Sequence, residues 1–129
     1  MKSSLIYFLF IIFLSLHTLL NVKANEPFVF NVTEIEILEN GNQINGYKGG
    51  TAVTEDGSKI IAENFYFNKL TNILEAEGNV KYLDGIKNTI ITTDKAIYMK
   101  NQEKIFTKGN SKAENEHNTI TASNLEYDK

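Results

Sequence analysis

Glu75 and Glu77 come closest, in this chain, to a catalytic pair. Two carboxylates facing one space can divide general acid from general base when they stand about 5–10 Å apart across a substrate. Here they alternate with Leu74, Ala76 and Gly78, which on a strand turns both carboxylates to one face and the small or apolar residues to the other. That pattern predicts a solvated strand face, not acid–base chemistry. The sequence has 2 histidines, His17 and His117, and no cysteine, so a zinc site lacks its donors. His117 lies in the polar run Glu114-Asn115-Glu116-His117-Asn118 and reads as a turn residue. Asp56-Gly57 and Asp84-Gly85 also read as turns, without the ligand spacing of a calcium loop. Lys69, Lys81 and Lys100 are chemically able to meet phosphates as point charges, but exposed lysines ordinarily just solubilise. Arginine is absent and the formal net charge is −3, which argues against the basic stripe that nucleic acid requires. With no phosphate loop and no nucleophile constellation, no cofactor is expected.

The residues that do recur are apolar. The spacing apolar-x-apolar-x-x-apolar-x-apolar is filled by Phe30, Val32, Ile35 and Ile37, then by Ile60, Ala62, Phe65 and Phe67. Ile91, Thr93, Ala96 and Tyr98 fill it a third time, with Thr93 as the exception; Ile120, Ala122, Leu125 and Tyr127 fill it a fourth. The copies stand 30, 31 and 29 residues apart, the mark of one supersecondary unit stacked on itself. Steps of two are strand spacing. The double polar step in the middle shifts parity by one, and in a flat strand it would turn the second apolar pair toward water. A β-bulge, or a corner where the strand crosses between facing sheets, restores burial; four recurrences at one position predict the corner.

A second strand type lies between these copies. Leu74, Ala76, Gly78, Val80 and Tyr82 alternate with polar residues, and Ile105, Thr107, Gly109, Ser111 and Ala113 repeat the phase. Gly46, Gly78 and Gly109 are expected to mark a bend once per repeat. Asn-Gly and Asp-Gly steps supply tight turns between strands, and the sole proline, Pro27, precedes the first strand. The fold expected is all-β: an antiparallel β-jellyroll of two facing sheets built from ~30-residue repeats. Its inward residues either pack a dry core or line an apolar trough, and the residues alone leave both open. Fatty-acyl burial at roughly 0.8 kcal/mol per methylene would suffice to hold a lipid in a trough. Uncovered first and last strands, around residues 28–32 and 120–127, would offer edges for β-augmentation.

Residues 1–24 read as an export signal. Lys2 is followed by an unbroken apolar run at residues 5–14, and Val22-Lys23-Ala24 precedes the expected cleavage point. The rival, an uncleaved anchor, needs roughly 20 apolar residues, and residues 5–20 fall short and include Ser15, His17 and Thr18. Cleavage leaves one domain at residues 25–129, held together without disulfides.

The motif Ile-x-Ala-x-x-Phe/Leu-x-Phe/Tyr, together with Leu-Glu-Ala-Glu-Gly-Asn-Val at residues 74–80, resembles the OstA-like repeat. That repeat occurs in the lipopolysaccharide-transport proteins LptA and LptC and in the N-terminal domain of LptD. The resemblance covers residues 28–129. It implies a V-shaped jellyroll in the periplasm, toward the outer membrane, with no catalysis and no cofactor. Lipopolysaccharide is the implied cargo, its lipid A acyl chains lying in a groove that includes Ile35, Ile37, Phe65, Phe67, Leu74, Ala76, Val80, Ala96 and Tyr98. The implied protein partners are other OstA-like jellyrolls docked edge to edge. An exported structural β-solenoid or adhesion module with a closed core is the alternative reading.

Overall fold

The computed structural model describes residues 25–129; the expected export signal at residues 1–24 lies outside them. Ten strands and two short 3-10 turns make up this stretch. In chain order the strands are β1 (Val29–Leu38), β2 (Gln43–Val53), β3 (Lys59–Ala62), β4 (Asn64–Asn68), β5 (Ile73–Leu83), β6 (Ile90–Met99), β7 (Lys104–Lys108), β8 (Ser111–Glu114), β9 (Thr119–Ala122) and β10 (Glu126–Asp128). Every pairing is antiparallel.

The long strands change partners half way. Residues 43–46 of β2 pair with β4 and residues 50–53 with β3; likewise β5 serves β4 and then β3, and β6 serves β8 and then β7. The sheet therefore folds over along one line into two facing arms. One arm runs β1-β2-β3-β5-β6-β8-β9, the other β1-β2-β4-β5-β6-β7-β10. The fold line follows the double polar steps and the bends that face them: the register breaks between Val32 and Glu34, and between Glu77 and Val80 opposite Asp94, and Glu63 separates β3 from β4. Apolar residues on either side of each step consequently face the same interior, as the parity argument requires.

Corner chemistry repeats with the unit. Gly78-Asn79 and Gly109-Asn110 each hold two consecutive positive φ angles, 82° and 46° in the first and 81° and 46° in the second. The asparagine amide then donates to the acidic residue of the neighbouring corner: Asn79 to Glu63 at 2.6 Å, Asn110 to Asp94 at 2.8 Å. The equivalent in β2 is Lys48-Gly49, with φ of 62° and 85°, and not Gly46 as the spacing suggested. Gly46 has a different task. A Cβ there would meet Val32 Cγ1 at 2.9 Å, so the missing side chain lets β1 close down on β2. Turns at the outer ends of the arms are set by side chains that mimic backbone: Asn68, Asp84 and Asn115 each accept two N–H groups from the residues two and three places on. His117 is one of these donors, which makes it a turn residue.

Candidate functional site

A row of inward side chains crosses each arm. On the first arm Phe30, Ala52, Ile60, Tyr82, Ile91, Ala113 and Ile120 stand opposite one another in register. On the second arm Ile37, Ile44, Phe67, Leu74, Tyr98, Ile105 and Tyr127 do the same. Between the arms lies a slot running across the strands from β1 to β9 and β10. Its middle is packed: Phe65, Phe67, Leu74, Ala76, Val80, Tyr82, Ile91, Tyr98 and Ile105 are all at 1 % exposure or less. Its ends are not. Ile35 and Ile37 are 53 % and 62 % exposed at the β1 end, and Ile120 is 58 % exposed at the other.

Aromatic rings form a continuous file along the slot. Phe65 meets Phe30 edge-on at 6.0 Å, and Phe30 meets Phe67 and Phe28 at 5.9 and 6.2 Å. Phe28 is wedged edge-on between Phe67 and Tyr98, at 5.1 and 5.5 Å. Tyr98 continues to Tyr82 at 6.3 Å, and Tyr82 to Tyr127 at 6.0 Å. Tilted and edge-on contacts at these distances are the favoured geometry for aromatic pairs. Phe28 is 3 % exposed although it precedes β1 and pairs with no strand.

Away from β1 the filling turns polar. Thr107 donates to Ser111 at 2.6 Å, Thr93 and Ser111 share a hydrogen bond at 3.1 Å, and the Leu125 N–H donates to Thr107 at 2.8 Å. Among the described residues no buried side-chain polar atom is left without a partner. The rims of the two arms are strapped together here. Tyr127 donates to Asp84 across the slot at 2.8 Å, the Lys87 ammonium donates to the Asp128 carbonyl at 3.1 Å, and Lys129 bridges Asp56. Burial alone would raise the Asp84 carboxyl, but the Lys87 and Ile86 N–H groups and the Tyr127 hydroxyl outweigh it and hold it below its ordinary value. Asp56 is likewise pushed up by burial and pulled further down by Lys129, Thr54 and the Ser58 N–H. The Tyr98 hydroxyl is raised, by burial first and then by the Glu103 carboxylate it donates to. Outside this seam lies an open depression of about 550 Å³, lined by Asn25, Glu26, Pro27, Asp56, Lys100 and Lys129 among others.

The nine residues expected in a groove are thus brought onto one inner surface but divided in role. Phe65, Phe67, Leu74, Ala76, Val80, Ala96 and Tyr98 are packed core, while Ile35 and Ile37 are its exposed continuation. Spacing missed Phe28 and the seam around Tyr127. Tyr127 belongs to the strand period, but the partners that make its seam do not, and Phe28 stands ahead of the first copy; the one available signal for the hydroxyl cluster was Thr93, the irregular member of its row. Glu75 and Glu77 face outward, where Lys95 lies 2.6 and 2.7 Å from them. Lys69 pairs with Glu26 and Lys100 with Glu103, both on the rim. No group of three or more His, Cys, Asp or Glu among the described residues is arranged to hold a metal ion, and no helix among them is long and apolar enough to cross a membrane.

The same architecture occurs in LptH from Pseudomonas aeruginosa, described as the LptA-homologous periplasmic component of the conserved lipopolysaccharide transport device. The two share a TM-score of 0.70 at 14% identity, over 80% of this chain and 76% of that one. No curated protein sequence matches the chain. The family model of OstA-like protein matches residues 29–129, essentially the whole folded region, and the chain belongs to that family.

Proposed function

We propose that this chain is a periplasmic lipopolysaccharide carrier that shelters lipid A acyl chains in the slot and forms part of a bridge to the outer membrane. It is a carrier, not an enzyme. The observation that supports this best is the course of the inner rows, which run uncovered to both ends of the slot: Ile35 and Ile37 at one end, Ile120 at the other. A second OstA-like jellyroll placed edge to edge would extend those rows, pair the open edge of β1 or of β9 and β10, and make one longer apolar track. Membership of the OstA-like family and the likeness to LptH point the same way.

A photo-crosslinker at Ile37 or Phe67 tests the reading in cells: lipopolysaccharide adducts should exceed those from outward Glu75. Equal labelling at the three positions would sink it. A second reading, an exported structural β-module with a dry core, draws on the sealed middle of the slot, where Phe67 and Tyr98 are each 1 % exposed. It expects no adducts at either inner position.

A further inference from the structure

Phe28 is the odd member of the aromatic file. The other rings sit on strands and are fixed by ladder hydrogen bonds; Phe28 lies ahead of β1, in residues 25–28, which make no pairing in the sheet. Apart from the ring itself, this stretch is tied down by side chains: Glu26 to Lys69 at 3.0 Å and Asn25 to Glu55 at 3.4 Å, both exposed. Exposed pairs of this kind add little to stability. The ring is nevertheless 3 % exposed, seated between Phe67 and Tyr98, and the next residue back, Pro27, lines the open depression.

We propose that Phe28 stands in the place of an acyl chain, and that residues 25–28 form a plug that swings out when a saturated fatty chain enters between Phe67 and Tyr98. This rests on the carrier reading and adds to it a place and a route. Departure of the plug breaks no backbone ladder, and the vacated volume is bordered by the rings of Phe30, Phe67 and Tyr98, apolar surface that an alkyl chain covers as phenyl does. The cargo then reaches the slot sideways through the rim as well as through its ends.

The chain contains no tryptophan, so Phe28→Trp makes a single emission reporter in the full exported chain. With dodecanoate as the probe, the indole should emit as a buried ring without ligand and shift to the red, saturably, as dodecanoate binds. Dodecanoate binding by calorimetry with no emission shift would overturn the plug and leave the carrier reading standing. Absence of dodecanoate binding to the wild-type chain and to Phe28→Ala would overturn both. Should the larger indole disturb folding, Phe28→Ala gives the second measure: with the plug removed dodecanoate binding should tighten, by about tenfold for a plug open one-tenth of the time. An affinity equal to or weaker than that of the wild-type chain refutes the proposal.

Discussion

At the β1 end the arms are joined by one ten-residue strand that bends through the corner, with Phe28 and Phe30 filling the space between them; at the far end two separate strands, of four and three residues, are held by hydroxyls and charged straps. Both ends are built on the same repeat. The β1 end gains its stability from apolar burial, which is insensitive to pH and indifferent to exact orientation. The β9–β10 end depends on directional bonds: Thr107 to Leu125, Tyr127 to Asp84, Lys87 to the Asp128 carbonyl.

The largest expected effect is at the aromatic centre. Phe67 is 1 % exposed and touches Phe28 and Phe30, so Phe67→Ala removes a ring the surroundings cannot replace and should cost about 3–5 kcal/mol. Urea unfolding followed by circular dichroism measures it. A loss below about 1 kcal/mol would mean that the file of rings is loosely packed and that the contrast between the ends is false, since well-packed aromatic sites do not tolerate truncation.

Next comes the hydroxyl that holds the last strand. Thr107→Val keeps shape but leaves the partly buried Leu125 N–H without its side-chain acceptor, at a cost of about 1 kcal/mol. The loss should be local: hydrogen exchange should quicken at residues 125–128 while β1 and β2 stay protected. Uniform acceleration across all strands would show that the two ends unfold together.

Much of this division is legible in the repeat. Phe30, Ile60, Ile91 and Ile120 share one row, and Ile37, Phe67, Tyr98 and Tyr127 the other, because period-two spacing interrupted by one extra residue leaves a corner as the solution that buries both halves. What escapes the repeat is what does not repeat. Phe28 fills the interior from outside the strands, and Asp84 finds Tyr127 43 residues away through the facing of the arms, which no local spacing encodes. Gly46 misled for a related reason: glycine is demanded at a bend and at a close approach alike, and only the position of Val32 tells which.

Acid should separate the ends without any mutation. The Asp84 carboxyl is held below the roughly 3.9 of an unfolded aspartate, so its ionised form favours the folded state above that pH. That contribution is lost as pH falls through the folded value, along with the acceptor for the Tyr127 hydroxyl and the two turn N–H groups. As pH falls below about 4, exchange should rise first at β10 and at residues 84–89, and last at β1. Asp84→Asn should flatten this early phase. Simultaneous loss of protection at both ends, in wild type and variant alike, would place the acid-labile groups elsewhere.

The smallest effect is expected at the pair with which a search for catalysis begins. Glu75 and Glu77 share Lys95 on the outer face and hold its ammonium above its ordinary value, yet all three are open to solvent in part. Water competes for each of these bonds, and the remaining glutamate keeps Lys95 paired when the other is lost. Glu75→Gln should therefore change stability by less than about 1 kcal/mol, with the difference shrinking in high salt. The same variant should cross-link at Ile37 and bind dodecanoate as the wild-type chain does, because the outer face and the slot lie on opposite sides of one strand. A large loss of cargo binding in Glu75→Gln would contradict that separation and move attention from the slot to the outer surface of β5 and β6.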